Sequence, residues 1–101
     1  MKLERIPWDE RTAPMESELR RRLAADGFST MTWNDPPNRL YAPHSHDHDE
    51  SLWCIAGAIT FHIAGRDHRL EPGDRLMLPR ATVHGATAGS AGATYLIGER
   101  D

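Results

Sequence analysis

Residues 44–50 of the chain read His-Ser-His-Asp-His-Asp-Glu, and an isolated histidine follows in the stretch Pro79-Arg-Ala-Thr-Val-His84. Side chains alternate between the two faces of a β-strand, so His44 and His46 on one strand point the same way. Glu50 lies four residues on and has the same parity. His84, arriving from a distant strand, would close a pocket of three imidazoles and one carboxylate. A nitrogen-rich set of this kind suits one divalent transition metal, Fe, Mn, Co, Ni, Cu or Zn, and suits magnesium or calcium poorly. Four protein ligands leave up to two positions of an octahedral metal for water, dioxygen or a bidentate organic ligand. Glu50 is then also the candidate catalytic base.

The rest of the chain must supply the scaffold. At 101 residues it is expected to form one domain. The apolar fraction is 39% and the mean hydropathy −0.62. So small and lean a core would gain from a bound metal or a partner subunit. The net charge of −3 comes from interleaved acidic and basic residues, which gives no electrostatic footprint for nucleic acid or an anionic membrane. The one basic run, Arg20-Arg21-Arg22, reads as a solvated helix face. A single cysteine, Cys54, excludes an intrachain disulfide and fits a reducing compartment. The charged N-terminus lacks the apolar run of a signal peptide. A soluble, cytoplasmic protein is expected.

Two regions differ in period. Residues 1–13 look irregular and polar. Pro14 suits a first helical turn, Glu16 and Glu18 favour the positive helix start, and Gly27 is a good stop. Met15, Leu19 and Leu23 make one narrow apolar stripe, so the pattern predicts a helix over about 14–26. Beyond Gly27 the spacing predicts short strands at 28–33, 39–42, 51–56, 59–63, 83–87 and 93–97. Gly57 is expected to break one of them, and Ala88–Gly92 to form a flexible link. Glu71-Pro72-Gly73-Asp74 reads as a type II turn. Short strands with turn signals every eight to twelve residues point to an all-β sandwich or barrel.

At this point the residues resemble a known family. His44-x-His46-x3-Glu50-x6-Gly57 is similar to the first cupin motif, and Gly73-x5-Pro79-x4-His84 to the second. With the strands between them the resemblance covers about residues 38–88. Three positions depart from it: Asn38, Ala81 and Ala88 stand where glycine, glycine and asparagine are expected. All three are backbone or outer positions, and none of the four ligands is missing. The resemblance implies an all-β double-stranded β-helix or jelly-roll barrel with one short N-terminal α-helix. Residues 1–27 would form the N-terminal segment and helix, and 28–101 the barrel. It also implies one metal inside the barrel, held by His44, His46, Glu50 and His84, and a homodimer built through the N-terminal segment or an edge strand.

Other residues have plainer readings. His48 shares parity with His44 and His46 and is the rival ligand. Members of the family bend out of regular pairing before the glutamate, which places His48 at the rim. His62 and His68 are expected to be outward or turn residues. Cys54 has the parity of Glu50, but a free cysteine is most often a small buried filler. Trp53 and Ile55 face away from Glu50, toward solvent, a helix or a dimer contact. Trp8 and Trp33 are candidates for an interface or for simple packing. Tyr41 and Tyr95 are either pocket hydroxyls or ordinary strand residues. The family hosts dioxygenases, isomerases, decarboxylases, storage proteins and ligand-sensing domains, so fold and metal do not settle the reaction. The expectation is a metal-dependent enzyme, dioxygenase- or isomerase-like, acting on a small organic molecule. The alternative is a non-catalytic binding or sensing domain with a structural or vestigial metal site.

Overall fold

Two long strands carry the architecture, and each changes face part-way along. A computed structural model describes residues 1–101. It contains β1 (Glu4–Ile6), α1 (Glu16–Ala25), β2 (Ser29–Asp35), β3 (Leu40–His44), β4 (Asp49–Ile63), β5 (Arg66–Leu70), β6 (Arg75–Leu78) and β7 (His84–Arg100). In β4 the buried positions include Glu50, Leu52 and Cys54, then Ile59, Phe61 and Ile63, so the inward parity switches from even to odd. The β4–β7 register jumps at the same place, between Cys54 and Ala56 and again between Gly57 and Ile59. Bulges of this kind bend a strand and re-aim its side chains. The expected break at Gly57 and the expected link at 88–92 are therefore both corrected. β4 and β7 run through them as continuous strands.

The bend divides one antiparallel array into two layers. The first halves of β4 and the last of β7 join β1, β6 and β2, in the order β1-β6-β4-β7-β2. Beyond the bend, β5 pairs with Ile59–Ile63 and β3 with the His84 end of β7. Leu52, Leu76, Leu78 and Tyr95 from one layer share a core with Ile59, Phe61, Ile63, Leu70 and Ala86 from the other. The chain is thus all-β apart from one helix, a jelly-roll barrel.

A second, smaller core seats the helix on the outside of the first layer. Leu19 and Leu23 are fully buried against Phe28, Trp53 and Leu96. Trp53 therefore faces the helix, and its indole N–H donates to Gly73 O at 2.8 Å. The helix starts at Glu16 rather than 14. Met15 is its N-terminal flanking residue and is 66% exposed, so the apolar stripe is only two residues wide. The arginine run is spent on local pairing: Arg20 donates to Thr30 and Glu16, Arg21 to Glu18, and Arg22 to Glu10 and Glu18.

The N-terminus is not irregular, as its polarity suggested. β1 pairs with β6, and buried Asp74 ties the segment down by accepting from Arg5 at 2.8 Å and from the Trp8 backbone N–H at 2.9 Å. Three residues carry too little alternation to show in sequence. The stretch 71–74 closes as the expected turn, with Asp74 N donating to Glu71 O and Gly73 at φ 94°.

Cys54 is fully buried in the main core, and burial pushes its thiol up to about 12. A thiol held that high has almost no thiolate at neutral pH. Iodoacetamide at pH 8 is expected to leave native protein unlabelled and to label it stoichiometrically in denaturant, as read by intact mass. Rapid labelling of the native chain would refute the filler role.

Candidate metal centre

Three stretches of chain converge at one end of the barrel. His44 ends β3 and pairs in register with His84, which begins β7. Their ring centroids lie 4.4 Å apart, and His46 lies 4.9 Å from His44 and 5.4 Å from His84. Nitrogens of these three rings all fall within 4.8 Å of one another. His46 sits on the loop into β4, and that loop is clasped to the loop before β7. Ala81 N donates to His46 O at 2.7 Å, and Arg80 N to the Asp49 carboxylate at 2.9 Å. The clasp requires a left-handed backbone at Ala81, φ 64°, where an alanine is held only by its surroundings. Asn38, the other departure from glycine, also has positive φ, 61°.

Two of the rings are fixed by backbone carbonyls. His44 Nδ1 lies 2.8 Å from Ala42 O and His84 Nδ1 2.9 Å from Thr82 O. A carbonyl can only accept, so each Nδ1 carries the proton and each Nε2 keeps a free lone pair. Metal-binding imidazoles are oriented by outer hydrogen bonds of this kind. His84 is buried, and burial lowers its pKa, which favours the neutral ring that a metal requires.

Glu50 is buried at 6% exposure, and its ion-pair contacts are His46 at 3.6 Å and His48 at 3.4 Å. No arginine or lysine neutralises it. His46, His48 and Glu50 form a second close group that shares His46 with the first. All four expected residues thus meet at this end, with Glu50 on the His46 side. The His48 side chain is 20% exposed, reaches both Glu50 and Glu99, and is not among the residues that line the cavity beside His44, His46, Glu50 and His84. Burial opposes its charged form, but the Glu50 and Glu99 carboxylates outweigh it and raise the His48 pKa. His62 faces outward and bonds Asp67 and Thr87, away from the site.

The histidines and Glu50 form one wall of a cavity of about 220 Å³. Leu52, Phe61, Ala86 and Ile97 give it an apolar body, and Trp33, Tyr41 and Tyr95 an aromatic side. Sequence reading left the two tyrosines undecided and weighed Trp33 as interface or packing. Alternation alone does not locate the register shifts of the β3–β7 and β4–β7 pairings next to the two tyrosines, whereas Trp33 lies on β2, which pairs with β7 without interruption. Asp35, read as part of a turn, is buried behind these rings. A mostly apolar cavity with a few convergent polar, ligating groups is the common form of a small-molecule site.

The comparisons agree with this geometry. The family profile described as "Cupin domain" matches residues 31–97. Over 73 residues, 66% of this chain and 22% of the other, the sequence is 34% identical to a quercetin 2,3-dioxygenase of Bacillus subtilis (strain 168). The chain therefore spans about a fifth of the length of that relative. Among solved structures, KdgF from Halomonas sp. superposes with a TM-score of 0.64 at 27% identity, over 73% of this chain and 70% of that one. The DMSP lyase DddQ from Ruegeria pomeroyi DSS-3 superposes with a TM-score of 0.67 at 24% identity, over 73% and 38%, a likeness of fold.

Proposed function

This chain belongs to the cupin family, and from that premise we propose that it is a metal-dependent enzyme, dioxygenase- or isomerase-like, acting on a small organic molecule. His44, His46, Glu50 and His84 would hold one divalent transition metal. One observation carries the reading: two imidazoles are locked by Ala42 O and Thr82 O with their Nε2 atoms free, beside a buried carboxylate that lacks a fixed cation. Unpaired buried charge is costly, and a divalent ion is the partner this donor set fits best. The bound ion would supply Lewis-acid polarisation of a substrate oxygen, or activation toward dioxygen.

The chain's own residues do the remainder. The apolar body of the cavity excludes water around the reacting atoms. Glu50, within reach of His46 and His48, accepts a proton from a substrate hydroxyl or from a carbon next to a carbonyl, and His48 stabilises its charge. The first test is elemental analysis of untagged protein purified without chelator, followed by oxygen-uptake and isomerisation screens. About one equivalent of metal per chain with turnover is expected. No metal after reconstitution with each candidate ion would overturn the reading. Full occupancy without turnover would favour the binding or sensing alternative.

Linkage fixes the pH dependence. Metal binding needs neutral imidazoles, so protons compete with the ion as pH falls through the imidazole range, near 6.5 for an unperturbed ring. Stability in excess metal should therefore be fully present above that range and decline below it. A melting temperature that stays flat from neutral pH down to about 5 would show that bound metal contributes nothing to stability.

A further inference from the structure

Behind the aromatic side of the cavity lies a buried carboxylate that the proposed metal chemistry does not use. Asp35 ends β2 and is 7% exposed. Its Oδ1 accepts from Tyr41 OH at 2.5 Å and from Trp33 Nε1 at 3.0 Å, and its Oδ2 accepts from Tyr95 OH at 2.7 Å. The three donors come from three strands, β2, β3 and β7, and all three rings line the cavity. An apolar lining alone could be built with phenylalanine. Burying a carboxylate is unfavourable unless its hydrogen bonds are filled, and here its cost is offset by locking three rings in fixed rotamers.

Two properties follow for a ligand. Both phenol protons are committed to Asp35, and burial first and Asp35 second hold both phenols above the ordinary tyrosine range. The Tyr41 oxygen also accepts from Trp33 Nε1 at 3.1 Å, and Arg39 lies over the Tyr41 ring at 4.8 Å, so the three side chains offer a ligand mainly their ring surfaces and no spare proton. In addition, the lining contains two carboxylates, Glu50 and Glu99, and no lysine or arginine. An anionic substituent beyond the atoms bound at the histidines meets no positive side chain. The cavity exceeds the roughly 150 Å³ that accommodates benzene in an engineered protein core, which leaves room for one substituted ring.

We propose that Asp35 is the specificity-determining positioning residue of the site: by fixing Trp33, Tyr41 and Tyr95 it selects an uncharged, single-ring ligand that presents an oxygen donor to the histidine cluster. The ligating end of that statement rests on the metal reading above. The selection of a ring rests on Asp35 and the three aromatic side chains alone.

The Trp33 indole N–H reports directly on this arrangement, and its nitrogen–proton NMR resonance is identified by its loss in Trp33→Phe. In zinc-treated wild-type protein, catechol is expected to shift that resonance to saturation. Oxalate, a ringless dianion with adjacent oxygens, is expected to leave it in place. Asp35→Asn should weaken catechol by about tenfold, the worth of a lost charge-assisted bond, while zinc content and oxalate affinity stay within twofold. Tyr95→Phe keeps the carboxylate and removes one donor, and it serves if Asp35→Asn does not fold. The proposal is overturned if the Trp33 signal ignores catechol, if oxalate moves it equally, or if the folded variant binds catechol as wild type does. Absence of zinc in the wild type by elemental analysis would defeat the metal reading alone, since the catechol-dependent shift is expected without metal, at weaker affinity.

Discussion

Replacing His84 by alanine is expected to strip the site of metal while leaving the barrel folded. His84 is buried in the wall of the cavity, with its Nδ1 on Thr82 O and a ring nitrogen within 4.8 Å of those of His44 and His46. Losing an outer partner of a metal ligand typically costs roughly 10- to 100-fold in metal affinity, and losing the ligand itself should exceed that. The fold should survive because burial keeps the ring neutral, so the substitution strands no charge. Stability supplies a second readout. An ion present at 100 times its dissociation constant stabilises the native state by about 2.7 kcal/mol. At about 4–8 °C per kcal/mol for a domain near this size, wild type should melt at least ~10 °C higher with metal than without. The alanine variant should show little of that difference. The second close group, His46, His48 and Glu50, makes the opposite forecast: there His48→Ala would lose the metal and His84→Ala would keep it. Elemental analysis of the two variants side by side decides which histidines ligate.

Much of this was legible from spacing. The family, the jelly-roll class and the meeting of His44, His46, Glu50 and His84 follow from residue types at fixed intervals. Such intervals survive because strand parity places them on one face. What spacing could not show is where parity changes. Leu52 and Cys54 point inward on even numbers, and Ile59 and Phe61 on odd ones. A glycine at the switch looks like a strand end rather than a bulge. The same ambiguity hid the inward direction of Tyr95, and with it the role of Asp35, whose Asp-Pro-Pro-Asn context is a strong turn signal. β1 was missed for another reason. Its position is set by tertiary contacts to Asp74, and three residues, two polar and one apolar, carry no periodicity.

The bend itself gives the largest stability prediction. Gly57 has φ 68°, and a Cβ built there would lie 2.1 Å from Gly92 O and 2.9 Å from Gly92 C. Gly92 is in turn at φ 78°, with Asp35 O 2.6 Å from its own Cβ position. Three backbone segments, from β4, β7 and β2, are thus stacked with no room for a methyl group, and none can swing aside as a side chain would. Gly57→Ala combines the left-handed penalty, about 1–2 kcal/mol, with a forced backbone shift. The total should be about 3 kcal/mol or more, at the severe end for a single substitution. Gly65 separates the two contributions. It also has positive φ, 77°, but nothing lies within 4 Å of its Cβ position, so Gly65→Ala should cost only the conformational part. In urea titrations the midpoint of Gly57→Ala is expected to fall well below that of Gly65→Ala. Equal losses would mean that the stacked backbones yield freely, and that the bend aiming Glu50 and Tyr95 into one cavity is not held by this contact.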